Sequence, residues 1–199
     1  MKENSPESVQ AATTLCYQGL VPVEWESLKG PPEQELLHRY EHDNAVLLQG
    51  MTVMDEQPVV EREEELSSLG QELQRIDYKL NLVLELLAQA LRSWRKLPAP
   101  VPVRLSVEGV SWCSGERLPV NEPVMVRLYL SPVFPNPFVA SGRVESLREE
   151  AEGYRVSVRF DGLGSQVRDA LEKMVFRQHR RDVARARLRR LAGGKAGDS

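Results

Sequence analysis

The sequence predicts an α+β protein: a small antiparallel β-barrel, interrupted by a two-helix insertion and followed by a C-terminal helix. Three observations predict it. A hydrophobic seam repeats by threes and fours from Leu66 to Trp94. Beyond a proline run at 98–102 the hydrophobic period falls to two. One strand-like stretch, Leu15 to Leu28, stands ahead of both helices. A lone strand needs partners, so it is expected to pair with the later strands. The helices then become an insertion, which loop-closure entropy tolerates well.

Taken in order, residues 1–10 are polar and expected to lack fixed structure. In Leu15–Leu28, Val21, Val23 and Trp25 alternate with Pro22 and Glu24, a strand pattern in which Pro22 marks an edge or an end. Lys29-Gly30-Pro31-Pro32 breaks it. A helix is expected from Glu33 to about Gly50, with Leu36, Leu37, Tyr40, Leu47 and Leu48 at helical spacing. Asp55–Pro58 reads as a turn. The long helix is expected from about Pro58 to Arg95, with Glu61, Glu63, Glu64 and Glu65 near its positive end.

That helix carries a regular coiled-coil seam. Leu66, Leu73, Leu80 and Leu87 occupy the a positions; Leu69, Ile76, Val83 and Ala90 the d positions, with Trp94 next. Leucine at a with β-branched residues at the middle d positions favours trimers or tetramers over dimers. Leu84, Leu86 and Leu91 widen the apolar face beyond what a two-stranded coil covers. The alternative is that the stripe faces the core of its own chain.

After the prolines, Val103, Leu105 and Val107 alternate with polar residues. Gly109 interrupts, and Val110 and Trp112 continue. Val124–Leu130, a weaker Phe138–Leu147 and Tyr154–Phe160 repeat the pattern, as expected of a small antiparallel barrel. Asp161–Gly164 turns the chain into a last helix with Val167, Leu171, Met174 and Val175 inward. The expected parts are thus 1–30 (tail and first strand), 31–97 (helical insertion, with the coil at about 58–95), 98–191 (remaining barrel and helix) and 192–199 (flexible tail).

Composition narrows the function. The 199 residues are 41% hydrophobic with a net charge of −3. Cys16 and Cys113 are too few for a disulfide scaffold and form no CxxC, so a reducing compartment is expected. The first residues contain no apolar signal core and no stretch is long enough to span a membrane, so the protein is expected to be cytoplasmic. Charge is uneven. Between Glu33 and Glu72 eleven acids face two arginines, whereas Arg177 to Lys195 holds seven arginines and a lysine against Asp182.

The β-region, Val103 to about Leu188, resembles a PilZ domain, a bacterial receptor module for cyclic di-GMP. VRLSVEGVSW is similar to the family's Asp/Asn-x-Ser-x-x-Gly strand motif. VMVRLYL, GRVESL, YRVSVRFDGL and the last helix follow the family order. The strand and two helices in front are similar to the atypical tetrameric PilZ proteins of xanthomonads. The resemblance implies a six-stranded barrel, a parallel four-helix coil and a homotetramer. It also implies cyclic di-GMP signalling without catalysis.

The ligand motifs depart from the family pattern. In place of Arg-x-x-x-Arg stand Arg92 and Arg95, three apart, with Lys96 at the fourth place as a point charge rather than a fork. Ser106 and Gly109 match the second motif, but Arg104 replaces its acceptor, and a guanidinium only donates. Ser106 and Gly109 also suit a strand serine and a bulge glycine. Direct cyclic di-GMP binding is therefore expected to be weak or absent, with action through a partner protein. A receptor with a rearranged site at Arg92, Arg95, Arg104 and Ser106 is the alternative.

Other constellations carry less. His38 and His42 lie one helical turn apart without a third ligand, so no metal is expected. No catalytic set stands out, and no resident cofactor is expected. The basic C-terminus invites a nucleic-acid reading, but Arg180, Arg181, Arg185 and Arg189 are expected to face the acidic helical region instead.

Overall fold

The computed structural model describes residues 15–55, 68–94, 96–134, 136–151 and 153–193. Seven strands form one sheet: β1 (Tyr17–Val21), β2 (Val23–Ser27), β3 (Val101–Leu105), β4 (Gly109–Ser114), β5 (Pro123–Leu128), β6 (Phe138–Glu150) and β7 (Gly153–Phe160). Three helices accompany them: α1 (Gln34–Asp55), α2 (Ser68–Trp94) and α3 (Ser165–Gly193). The strand order is β1-β3-β4-β7-β6-β5-β2, and every pair is antiparallel.

The sheet has seven strands rather than the expected six, and Pro22 is the reason. Proline supplies no N–H and interrupts a ladder. The run Leu15–Leu28 is therefore split. β1 pairs with β3, Val21 opposite Val101, while β2 pairs with β5, Val23 opposite Leu128. The two ends of the strand order are contiguous in the chain, so the sheet curls until its edges meet at Pro22. Tyr129 N–H donates to the Pro22 carbonyl at 3.2 Å across that corner.

Strand alternation fills the inside of the curl. Val103, Leu105, Val110, Trp112, Val124, Val126, Leu128, Phe138, Val144, Val156 and Val158 are buried. Helices α1 and α3 pack on each other, α1 also on β6 and α3 on β1. They add Ala45, Leu47 and Leu48, and Val167, Leu171, Met174 and Val175, to the same core. One polar residue joins them. Asn44 is 2% exposed; its Nδ2 donates to the Val139 carbonyl at 2.7 Å and its Oδ1 accepts from Val139 N–H at 2.8 Å. This amide pairs with β6 as a strand neighbour would, so its burial leaves no polar group unmet.

Several boundaries differ from the sequence expectation. Helix α1 continues past Gly50 to Asp55. A side chain at 50 would place its Cβ 2.6 Å from the Phe134 ring, so the glycine lets that aromatic pack against the helix. Strand β6 runs beyond Leu147 to Glu150, carried by its ladder with β7. The stretch Val103–Trp112 is two strands joined at a turn, and α3 continues to Gly193. The expected helix start at Pro58 and the seam residue Leu66 lie outside the described residues, as do the expected tail at 1–10 and, of the tail expected at 192–199, residues 194–199.

Helix α2 is about 40 Å long at 1.5 Å per residue. Its seam is open to solvent in the single chain. Leu73, Ile76, Leu80, Val83 and Leu87 are 58, 57, 55, 58 and 55% exposed, and Leu82 and Leu86 stand beside them at 44 and 56%. Ala90 is also exposed; Leu69 and Trp94 belong to the same helix. No described helix is long and apolar enough to cross a membrane.

Candidate functional site

The β3–β4 hairpin brings three sequence-selected residues together. Ser106 N–H donates to the Gly109 carbonyl at 2.9 Å. The Ser106 hydroxyl accepts from Glu108 N–H at 3.2 Å, the local turn that serine favours. Gly109 stands opposite Arg159 of β7, and a Cβ there would lie 2.2 Å from the Val158 carbonyl oxygen. Only glycine permits that approach. Both motif residues therefore shape the turn, and Ser106 keeps its hydroxyl proton to donate elsewhere.

A cleft of about 640 Å³ opens beside this turn, lined by Arg104, Ser106, Gly109, Glu145, Arg159 and Arg168 among others. Arg159 is held by Glu145. Arg104 reaches the Cys16 sulfur at 3.7 Å. Arg168 enters from the first turn of α3, its N–H bonded to the Gly164 carbonyl at 2.9 Å. Neither Arg104 nor Arg168 has an ion pair among the described residues. The cleft presents two guanidinium forks without an ion pair among the described residues and one hydroxyl donor, a set suited to an anion rather than to acid–base chemistry.

Arg159, Arg168 and Glu145 were not legible as site residues. Arg159 occupies a routine polar position in an alternating strand. Only the register that sets it opposite Gly109 brings it to the cleft.

The other half of the expected motif lies elsewhere. Arg92 belongs to the last turn of α2, and Arg95 is outside the described residues. Lys96, next in the chain, lines two other clefts. One, of about 670 Å³, holds Trp25, Pro98 and Trp112. The other, of about 540 Å³, holds Arg39, Tyr40, Arg127 and Tyr129. Strand β3 separates Lys96 from Ser106, some 16 Å at 3.3 Å per residue. Within one chain, Lys96 thus does not join the Arg104 cleft.

The cleft at Arg127 is internally satisfied. Arg127 donates to Glu26 at 2.6 Å, and the Tyr129 hydroxyl to Glu24 at 2.9 Å. Burial opposes the Arg127 charge, but its bonds to Glu26 and Tyr40 outweigh that and raise its pKa. On the β6–β7 hairpin, Arg155 grips Glu150 at 3.0 and 3.1 Å, while Cys113 donates to Glu150 at 3.2 Å. Chiefly through Arg155, the Glu150 carboxyl is held below the usual range. Tyr17, under α3, is raised by burial and then by Asp182.

No group of three His, Cys, Asp or Glu side chains among the described residues could hold a metal ion. His38 lies 3.9 Å from Glu41. In α3, Arg177 reaches the Thr52 carbonyl of α1 at 3.4 Å, and Arg180 lies over its neighbour Phe176.

Comparison with known proteins adds two findings. A family model described as an atypical PilZ domain, cyclic di-GMP receptor, matches residues 48–189. Among solved structures, a pathogenic protein from Xanthomonas campestris is similar, with a TM-score of 0.68 and 26% identity over 87% of this chain and 92% of that one. It is described as a new tetrameric PilZ domain self-assembled via an unusual helical bundle. No curated protein matches the sequence.

Proposed function

Because the chain belongs to the atypical PilZ family, we propose that it is a non-enzymatic component of cyclic di-GMP signalling. It assembles as a homotetramer through α2, binds the dinucleotide weakly or not at all, and acts through a partner protein. The exposed seam carries this reading. Five large apolar residues at heptad spacing stand more than half exposed on one helix. Covering them contributes on the order of 1 kcal/mol each. A similar chain is described as tetrameric through a helical bundle, and the leucine-at-a pattern favours the same order of assembly.

Weak ligand binding follows from Arg104. A guanine edge offers donors to an Asp or Asn acceptor, and the guanidinium cannot accept them. Lys96, at the place of the second family arginine, lines other clefts. Calorimetric titration of cyclic di-GMP into the full chain tests the proposal: little or no heat is expected, and tight stoichiometric binding would overturn it.

A rearranged receptor is the second reading, favoured by the shared cleft of Arg104, Ser106 and Arg168. The two readings part at one residue. Arg104→Ala weakens binding if the arginine grips phosphate; Arg104→Asp strengthens it if the arginine blocks a relic site.

A further inference from the structure

Strand β2 is an edge of the curled sheet with only one side paired. Glu24 stands opposite Arg127 and Glu26 opposite Met125. Leu28 N–H donates to the Pro123 carbonyl at 2.8 Å, and the Pro22 carbonyl accepts from Tyr129. Main-chain groups in an antiparallel pair alternate between the two sides. Residues 22, 24, 26 and 28 therefore face β5, and the N–H and C=O of Val23, Trp25 and Ser27 face away. Those six groups make no hydrogen bond among the described residues. On the opposite edge strand, β1, helix α3 packs.

Across from the free edge runs the segment 96–100. The β1–β3 ladder ends with Val21 opposite Val101. Continued in register, it would set β2 against Leu97–Ala99. Pro22, Pro98 and Pro100 have no N–H to extend it, and the two stretches diverge. The wedge between them is the cleft of about 670 Å³, with Trp25, Lys96, Pro98, Trp112 and Glu116 in its wall.

We propose that this edge receives an extended segment of a partner protein, added to the sheet as one more strand beside β2. The inference rests on the partner-mediated reading above and names its docking mode. Donor–acceptor pairs repeated every second residue, roughly 7 Å apart, match an extended backbone. Trp25, half-buried in the cleft wall, receives an apolar side chain of the incoming strand. Glu24 and Glu116, neither with an ion pair among the described residues, favour cationic side chains at its rim, whereas Glu26 is already held by Arg127. A second copy of β2 is a poor occupant: self-pairing about Trp25 sets Glu24 opposite Glu26, and like charges directly opposed destabilise a ladder.

The test uses the full chain in its native oligomer and a random linear-peptide phage library. Selected peptides are synthesised and their effect on amide exchange is read residue by residue. Enriched peptides are expected to carry Lys or Arg at alternate positions and to slow exchange at Val23, Trp25 and Ser27. Ser27→Pro removes an outward N–H without touching the β5 ladder. It is expected to weaken such peptides about fivefold, the worth of one main-chain hydrogen bond. Glu116→Arg, away from β2, is expected to weaken the basic peptides if Ser27→Pro impairs folding.

The inference falls if no peptide is enriched, or if peptides bind without slowing those amides. It also falls if the amides are already protected in the peptide-free oligomer, which would mean that a second copy holds the edge. Light scattering and cyclic di-GMP titration on the same sample report on the parent reading separately. A tetramer that binds neither dinucleotide nor peptide sinks only the docking mode, whereas tight dinucleotide binding sinks only the partner-dependent reading.

Discussion

Strand β5 and helix α2 are built from the same kinds of side chain and treat them oppositely. In β5, Val124, Val126 and Leu128 are 0, 1 and 0% exposed. In α2, Leu73, Ile76, Leu80 and Leu87 are all more than half exposed. The strand meets its apolar requirement inside the chain, because the sheet curls and two helices fill it. Among the described residues no element packs over the seam face of the helix. Stability of the sheet is thus a property of one chain, whereas coverage of the seam, under the proposed assembly, is a property of several.

The sharpest way to break this contrast is to charge the seam. Leu80→Asp with Leu87→Asp places two carboxylates per chain in a desolvated bundle. Light scattering is expected to report the monomer mass, while the near-ultraviolet circular dichroism of Trp112 in the sheet core persists. A monomeric wild type would refute the assembly.

Phe138→Ala probes the other side. The ring is fully buried and lies 6.1 Å from that of Phe160. Its loss costs about 3–5 kcal/mol, visible as a lower thermal midpoint with oligomer mass unchanged at temperatures where the sheet is folded.

Gly109→Ala sharpens the view of the hairpin. The added carbon meets the backbone oxygen of Val158, which cannot rotate away, at a cost of about 1–3 kcal/mol. If the glycine served only a ligand, stability would not change.

The smallest effect concerns Glu150. Its pKa is depressed in the folded chain, chiefly by Arg155, so its contribution is present above the unfolded carboxylate pKa and fades as pH falls through the folded one. Glu150→Gln should lower the thermal midpoint slightly at neutral pH and flatten its acid-side dependence, so that variant and wild type converge at low pH.

Much of this contrast was legible in the sequence. Periodicity shows which residues share a face, so the seam and the strand interiors could be read directly. Periodicity does not show what the face meets. Pro22 signals a strand end, yet that its two halves join opposite edges follows only from pairing with β3 and β5, far along the chain. The burial of Asn44 has no signal in the sequence; it is possible because the Val139 backbone supplies both its partners. The Arg104 cleft was half legible. The motif spacing marked Ser106 and Gly109, whereas Arg159 and Arg168 arrive through lateral register and the docking of α3.

The order of the chain has a consequence for synthesis. The first two strands leave the ribosome well before β3 and β5, because both α1 and α2 are translated in between. Their ladders must wait, as pairings of large sequence separation form slowly. Helix α2 depends on none of those ladders. Its seam is complete while the sheet is still missing five strands, so under the proposed assembly neighbouring nascent chains on one message would zip their helices before any of them has finished folding.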